Sequence, residues 1–227
     1  MKRFFSLVAV TGLALLIPAL LFSCAPVNLY TINMRYTSPE TPPTRTAGAN
    51  SPPITIARFI DSRKVEDTLI IGTVVLPDGD TIPVLPKYSK PVDAVTDGIR
   101  KCLSAEGYSL SREIPAWNLE SDSIEKSWGT ALIGGSIDRL EVVCHKEGIK
   151  KTYRTDVKLT IVFADVHNAR IVRTMEAAAT SSLVHVRFSE EILEEQINKA
   201  FANAIEQICG NGKTMSEFLG HLAKEGE

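Results

Sequence analysis

Apolar and polar residues alternate most regularly over residues 153–163. Every second position there, ending in Leu159, Ile161 and Phe163, can face a core, while most of the positions between them are polar. A period of two predicts a β-strand with one buried and one solvated face. Further strands are predicted over residues 30–36, 54–60, 68–76, 81–85, 108–114, 130–144 and 170–183. Gly134-Gly135 is expected to interrupt the strand 130–144, where the glycines allow a bulge or close backbone packing. Asp78-Gly79 predicts a hairpin turn between the strands 68–76 and 81–85.

A helical period follows the predicted strand 81–85. Five apolar residues recur at the spacing of one helix face: Val92, Val95, Ile99, Cys102 and Leu103. Ser89 is placed to cap this helix, Pro91 suits its first turn, and Gly107 provides a left-handed stop. Because only one face is apolar, we expect this helix to lie on a sheet.

A second, longer helix is predicted to begin at the cap Ser189 and to end at Gly210. Phe188 before the cap and Leu193 after it match a hydrophobic staple, which fixes how the chain enters a helix. The apolar stripe of this helix is wide and consists of Leu193, Ile197, Ala200, Phe201, Ala204, Ile205 and Ile208. A third, short helix is predicted over residues 215–222.

The N-terminus carries a different pattern. Residues 7–22 follow Lys2 and Arg3, contain no charge, and are too short for a comfortable membrane span of roughly 20 residues. Such a run is typical of the apolar core of a signal peptide. Leu21-Phe22-Ser23-Cys24 resembles a bacterial lipobox, although Phe22 is bulkier than the usual residue. We therefore predict that Cys24 is lipidated; ordinary secretory cleavage near Ser23 and an uncleaved anchor helix are the alternatives.

These patterns divide the chain into three parts. Residues 1–23 are predicted to be a lipoprotein signal peptide, residues 24–53 a tether, and residues 54–222 a single α+β domain. The tether contains the short strand 30–36 and a linker, residues 37–53, with five prolines. A free coil of this length spans on the order of 20–25 Å, so we expect the linker to give the domain reach.

Charge and length restrict the class of protein. The chain has 227 residues and a formal net charge of −2, and it loses Lys2 and Arg3 with the signal peptide, which gives about −4. A chain without a basic excess is a poor candidate for binding nucleic acid. The 204 residues from Cys24 onward can bury one substantial core or two small ones.

Three cysteines remain after the predicted anchor: Cys102, Cys144 and Cys209. Their spacing does not match a zinc site, and the four histidines are scattered in the same way. Two of the cysteines can pair in an oxidising compartment, or all three can be small buried apolar residues. No metal and no cofactor is predicted.

Candidate functional residues are few. Trp117 and Trp128 lie in a stretch without a clear period, and they are either exposed anchors of a partner interface or core residues. A hydrolase would need paired carboxylates such as Glu120 and Asp122 in a cleft, but no motif singles them out. No catalytic residue is therefore predicted.

A basic cluster surrounds one predicted hairpin and consists of Lys146, Lys150, Lys151 and Arg154. Such a cluster can meet anionic lipid headgroups or lipopolysaccharide phosphates. The alternative is a merely solvated turn. Asp61 and Arg63, at the end of another predicted strand, are expected to form a structural polar pair.

The order of elements and the lipobox together resemble the YajG-type lipoproteins and the auxiliary lipoproteins of ABC-type lipid-transport systems in the Gram-negative envelope. The resemblance rests on residues 54–63, on residues 95–108 and on the strand pair within residues 157–175, and it covers roughly residues 54–210. It implies an α+β fold in which two main helices pack on one face of an antiparallel-rich sheet. It also implies no catalytic residues.

The sequence thus predicts a non-enzymatic envelope lipoprotein that binds a protein or lipid partner as an accessory or assembly subunit. Its expected partners are the membrane, through the lipid anchor, and an envelope transport or assembly protein. Because Ala25 follows Cys24 where an inner-membrane signal would have aspartate, we expect the periplasmic face of the outer membrane. A small-ligand or lipid carrier and an envelope hydrolase are the alternatives.

Overall fold

The computed structural model describes residues 28–37, 53–210 and 212–225. The strands are β1 (Tyr30–Ile32), β2 (Ile54–Ile56), β3 (Ile60–Asp61), β4 (Gly72–Val75), β5 (Thr81–Pro86), β6 (Ala131–Glu147), β7 (Lys150–Asp165) and β8 (Arg170–His185). The helices are α1 (Pro91–Ala105), α2 (Glu190–Cys209) and α3 (Gly212–Glu225). Two short 3-10 turns, Ser121–Ser123 and Lys126–Trp128, precede β6.

One eight-stranded sheet organises these elements. Its order is β1-β5-β4-β6-β7-β8, and β2 and β3 also pair with β6. The long strands β6, β7 and β8 form an antiparallel meander. On the side of β6 that does not pair with β7, three short strands pair in succession: β2, β3 and β4. All three are parallel to β6. Ile54 lies opposite Ala131, Ile60 opposite Ser136 and Gly72 opposite Val142.

The α+β class is confirmed, and the sheet is mixed. The long pairs are antiparallel, as expected, but β1 pairs with β5 in parallel, as do β2, β3 and β4 with β6. Parallel strands need long crossover connections between them. Such pairings join residues that are distant in sequence, so the periodicity of a single strand could not reveal them.

The main core lies between the helices and one face of the sheet. On β7 the alternate residues Tyr153, Val157, Leu159, Ile161 and Phe163 are fully buried. They share one hydrophobic cluster with the apolar stripes of α1 and α2, so both main helices cover the same face. Each such side chain contributes about 1.5–3 kcal/mol when it leaves water.

A smaller core lies on the opposite face, at the end where β6 begins. Val162 and Ala164 alternate with the buried residues of the main core and therefore point to the other side of the sheet. The segment between α1 and β6 crosses over them. The members of this second cluster are Ala57, Trp117, Ile124, Trp128, Leu132, Val162, Ala164 and Val166.

The ends of the helices agree in part with those predicted from the sequence. Ser189 caps α2 by accepting a hydrogen bond from the Ile192 amide at 3.3 Å, as predicted, and Gly107 has φ +84. The cap predicted at Ser89 is wrong, because α1 begins after Lys90 without a side-chain cap. Pro91 still occupies the first turn, where its missing N–H costs nothing.

Two other local predictions are corrected. Residues 108–114 do not form a strand, since Leu110 makes only an isolated bridge with Ile54. The strand through Gly134-Gly135 is not interrupted there, and its irregularity falls between Ile137 and Arg139. The turn at Asp78-Gly79 is confirmed, with Gly79 at φ +93.

Candidate functional site

The first described residues form an N-terminal strap, residues 30–37, that is built into the body. Its backbone N–H groups at Thr31, Asn33 and Arg35 donate to side chains spaced four residues apart on α2. The acceptors are Glu190 at 3.2 Å, Glu194 at 2.8 Å and Asn198 at 2.9 Å, and Asn198 donates in return to the Asn33 carbonyl at 2.9 Å. One face of α2 thus accepts hydrogen bonds from every second backbone amide of the extended strap.

The other side of the strap is apolar. Ile32, Met34 and Tyr36 are buried in the main core, which is the alternation expected of a strand. β1 therefore belongs to the body, although the sequence placed it in the tether. The proline-rich residues 38–52 lie outside the described part, and they join two positions, Thr37 and Pro53, of the same folded body. They do not separate the body from Cys24.

The direction of the strap decides where the chain enters the body. β1 is parallel to β5, β5 is antiparallel to β4, and β4 is parallel to β6, so β1 and β6 run in opposite directions. β6 runs towards its hairpin with β7, which means that the N-terminal end of β1 points to that hairpin. We call this region the hairpin end: the β6–β7 turn, the last residues of β8 and the loop 186–189.

The hairpin turn holds an exposed apolar residue. Glu147 and Lys150 are the last paired residues, so Gly148 and Ile149 form a two-residue loop. Gly148 has φ +54 at the first loop position, where turns of the II′ type require glycine. Ile149 is 84% exposed. Lys151 Nζ donates to the Gly148 carbonyl and thereby holds the turn.

Lys146 links this hairpin to the strap. Its Nζ lies 3.5 Å from the centroid of the Phe188 ring and 5.2 Å from that of Tyr30, and it donates to the Tyr30 hydroxyl at 3.2 Å. The two rings are themselves in contact, with centroids 4.8 Å apart. A cation over two aromatic faces is held electrostatically, so the start of the strap is fixed against the hairpin.

The loop between β8 and α2 adds further exposed apolar side chains. Val184 and Val186 are more than half exposed, and Val184 is paired with Thr152 close to the hairpin turn. His185 Nδ1 accepts from the Arg187 amide at 3.0 Å, which shapes the loop. Beneath it, the Tyr153 hydroxyl donates to the Arg187 carbonyl at 3.1 Å, and burial raises the pKa of Tyr153 to about 12.

The charges at this end are unevenly placed. The hairpin carries Lys146, Lys150, Lys151 and Arg154 against a single acid, Glu147. The neighbouring β4–β5 turn reaches the same end and carries Asp78 and Asp80. The predicted basic cluster is therefore present as a local feature of the hairpin, and exposed Ile149, Val184 and Val186 accompany it. None of these three residues belongs to a pattern that the sequence singles out; an isoleucine in a two-residue turn was the available signal.

The two tryptophans lie elsewhere. Trp117 is 2% exposed and Trp128 is 8% exposed, and both belong to the second core at the opposite end of β6. Trp117 Nε1 donates to the Glu120 carbonyl at 2.9 Å. Both tryptophans are therefore core residues, which is one of the two alternatives that the sequence left open, and neither ring is exposed as an anchor for a partner.

The carboxylates and pockets that a hydrolase or a small-ligand carrier would need lie at the protein surface. Glu120 and Asp122 are exposed, and Glu120 accepts a hydrogen bond from Asn118 at 3.0 Å on the protein surface. Three open grooves of about 530, 560 and 540 Å³ are lined mainly by charged and polar side chains. In the described ranges no three His, Cys, Asp or Glu side chains are grouped closely enough to hold a metal ion.

The predicted anchor Cys24 lies outside the described residues, and so does the apolar run before it. Across residues 28–37, 53–210 and 212–225, the helices are all too short or too polar to cross a bilayer.

Comparison with known proteins places this mixed sheet-and-helix arrangement in a known fold. No protein-family model matches the chain, and no curated protein matches it. A protein described as a homolog of the neuraminyllactose-binding hemagglutinin from Helicobacter pylori superposes with a TM-score of 0.53. It is 12% identical in sequence, and the match covers 85% of this chain and 100% of that one. At this identity the likeness shows a common fold and carries nothing further.

Two other solved structures align over most of their length. Protein XCC0632 from Xanthomonas campestris has a TM-score of 0.46 and 12% identity, and the match covers 87% of this chain and 99% of that chain. Lipoprotein GNA1162 from Neisseria meningitidis has a TM-score of 0.36 and 9% identity, with 70% and 98% covered.

Proposed function

We propose that this chain is a non-catalytic lipoprotein of the bacterial envelope, held by acyl chains on Cys24 with its hairpin end against the membrane surface. The observation that carries the proposal is the entry of the N-terminal strap beside the hairpin end, where exposed Ile149, Val184 and Val186 accompany Lys146 and Lys150. A lipid anchor on Cys24 would thus enter the body at the same end as the surface suited to a lipid interface.

Chain length supports this orientation. Tyr30 is fixed against the hairpin, and Cys24 precedes it by six residues. Six residues span at most about 20 Å even when fully extended. Acyl chains on Cys24 would therefore keep the hairpin end within that distance of the bilayer, and the proline-rich residues 38–52 would add nothing to the reach.

The two kinds of contact differ in strength. Several acyl chains hold a protein on a membrane, because each buried methylene contributes about 0.8 kcal/mol. A lysine near an anionic surface adds about 1 kcal/mol, and exposed apolar side chains can enter the headgroup boundary. In this proposal the lipids provide attachment, and the hairpin end fixes the orientation of the body.

The rest of the body would then face a partner. Beyond the second core, the sheet face opposite α1 and α2 holds an open groove of about 560 Å³ lined by Glu141, His145, Arg154 and Thr180 among others. A fixed orientation would present this face to a protein or lipid partner, as an accessory or assembly subunit requires. Ala25 favours the periplasmic face of the outer membrane as the location.

The anchor is tested by producing the full chain in a Gram-negative host and measuring the mass of its N-terminal peptide. We expect a peptide that begins at a lipidated Cys24 and fractionates with membranes. The variant Cys24→Ala should lose the modification and leave the membrane fraction. An unmodified, soluble wild-type product would overturn the anchor.

The orientation is tested separately with the unlipidated mature chain and vesicles that contain phosphatidylglycerol. We expect weak binding that falls about fivefold for Lys150→Gln, since each lysine contributes about 1 kcal/mol. Ile149→Ser should weaken binding as well. Lys126→Gln is the matched control, because Lys126 is exposed at the opposite end of β6. An equal loss for Lys126→Gln, or no binding by the wild type, would contradict contact through the hairpin end.

A further inference from the structure

Helices α1 and α2 approach each other closely at one point. A side chain at Gly98 of α1 would begin 2.6 Å from the Ile205 Cδ1 atom and 3.0 Å from the Phe201 ring, so any larger residue would require these side chains to shift. One turn further along both helices, Cys102 of α1 meets Cys209 at the end of α2. Both thiols are buried in the main core and are free.

The two thiols are neighbours in the main core. Their side chains are close enough to hydrogen-bond to each other, and Tyr36 of the strap hydrogen-bonds to Cys102. The pKa of Cys102 lies below its ordinary value chiefly because of hydrogen bonding with the Cys209 thiol, whereas burial raises the pKa of Cys209.

The third cysteine is remote from this pair. Cys144 lies on β6 opposite Tyr153, whose hydroxyl bonds to the Arg187 carbonyl just before α2 begins. Cys209 is the last residue of the same helix, which has 20 residues. A helix of that length is about 30 Å long, far beyond the roughly 7 Å between Cα atoms that a disulfide allows.

We propose that Cys102 and Cys209 are a disulfide-forming pair that joins α1 to the end of α2 in the mature protein, while Cys144 stays a free thiol. The site is a covalent modification site, and the close approach at Gly98 sets its geometry. The presence of the bond in cells rests on the proposed function, because disulfides persist outside the reducing cytoplasm.

The oxidant is a disulfide, supplied by a protein thiol oxidase or by glutathione disulfide. One cysteine of the pair, as its thiolate, attacks one of the oxidant's sulfurs, which forms a mixed disulfide and releases the other sulfur as a thiolate. The thiolate of the second cysteine then attacks the sulfur of the first and releases the remaining thiolate. Two electrons and two protons pass from the cysteine pair to the oxidant, whose disulfide becomes two thiols. Because the pair is buried in the folded protein, this step belongs to folding.

The bond would close a loop of roughly 100 residues, from α1 through the sheet meander to the end of α2. A cross-link of this size restricts the unfolded chain strongly. For a body of this length, its reduction is expected to lower the midpoint of thermal unfolding by roughly 5–15 °C.

The test is a thiol map of the full chain, produced with its own N-terminus in a Gram-negative host. The protein is unfolded, treated with N-ethylmaleimide without reductant, digested and analysed by mass spectrometry. We expect a linked peptide pair containing Cys102 and Cys209, and alkylated Cys144. Cys144→Ala should keep the link, and Cys209→Ala should leave Cys102 alkylated. In exported protein, alkylation of both Cys102 and Cys209 without reductant overturns the inference, and so does any link to Cys144.

A second arm separates this inference from the proposed function. Reduced, unfolded chain is refolded in a glutathione redox buffer and mapped in the same way. A link in the buffer, for a chain that fractionation finds in the cytoplasm, supports the pair and overturns export. The absence of a link in the buffer overturns the pair wherever the chain resides.

Discussion

The Trp117 ring lies directly on the backbone of Gly134. A side chain at Gly134 would begin 2.6 Å from the Trp117 Cε3 atom and 3.1 Å from Leu119 Cδ2. This contact closes the second core over the face of β6 that the helices leave open. The glycine pair that the sequence suggested as a bulge or a close packing site serves close packing at this position.

Gly134→Ala should therefore displace the Trp117 ring and destabilise the protein by about 1–3 kcal/mol, as overpacking does. In a Trp128→Phe background the emission of Trp117 should shift to longer wavelength, since water reaches the ring. Gly220→Ala is the control, because nothing lies within 4 Å of a side chain at that position of α3. An unchanged emission maximum in Gly134→Ala would contradict the contact.

Arg63 connects the loop between β3 and β4 to β6 through hydrogen bonds. It donates to both oxygens of Asp61, at 2.9 and 2.7 Å, and to the carbonyls of Thr68, Ile70 and Leu140. The two side chains are 4% and 11% exposed. The structural pairing expected from the sequence is present, and its reach to Leu140 on β6 is added by the fold.

Arg63→Lys should lower the free energy of unfolding by about 2–4 kcal/mol, because an ammonium group cannot replace the planar fork and leaves buried acceptors unpaired. Urea unfolding measures the loss. Arg139→Lys is the matched control, since the Arg139–Asp156 pair is exposed, and its urea midpoint should hardly move. Equal losses for the two variants would refute the buried role of Arg63.

Glu194 holds the centre of the N-terminal strap through the Asn33 amide. Glu194→Ala should cost about 1–2 kcal/mol, because the amide loses a charged acceptor. Glu194→Gln keeps an acceptor oxygen and should cost less than half as much. Hydrogen exchange at the Asn33 amide reports the local effect, which should be many times faster in Glu194→Ala. Protection that survives this substitution would show that the strap is held by its buried side chains alone.

Tyr153 predicts a loss of stability at high pH. Its pKa is raised to about 12 in the folded protein, chiefly by burial, from an ordinary value near 10. Between these values the unfolded chain ionises and the folded one does not. The native state then binds more protons than the unfolded state, so stability falls as the pH rises from about 10 to about 12.

Comparison with Tyr153→Phe isolates this effect. The variant lacks the titrating hydroxyl, so its urea midpoint should fall less over the same pH range. The wild-type absorbance at 295 nm should also contain one tyrosine that ionises about two pH units late and that is missing from the variant. A late step that persists in Tyr153→Phe would assign the raised pKa to another residue.

The local part of the fold was predictable from the sequence. The alternation around Leu159 predicts the central strand, and the stripe from Leu193 to Ile208 predicts α2, because side chains of a strand or a helix face the core at fixed spacing. Ser189 and Gly107 mark helix ends through their own side chain or backbone. Each of these predictions depends only on residues that are close together in the sequence.

The candidate site was predictable only in pieces. The basic cluster around Lys150 was visible, but its meeting with the strap through Lys146, Tyr30 and Phe188 joins residues more than a hundred positions apart. Trp117 was chosen as an aromatic without a pattern, and its burial depends on Gly134 of a later strand. Local composition cannot distinguish an exposed ring from one that a distant segment covers.

By itself, the sequence determined the helices, the long strands and the apolar N-terminal run, because each depends on a short-range pattern, and the lipid site at Cys24 stays a prediction. The tertiary structure decided which strands pair in parallel, that β1 belongs to the body, and which two of three cysteines meet. These features depend on loop closure and packing between distant segments, whose free energies no local pattern records.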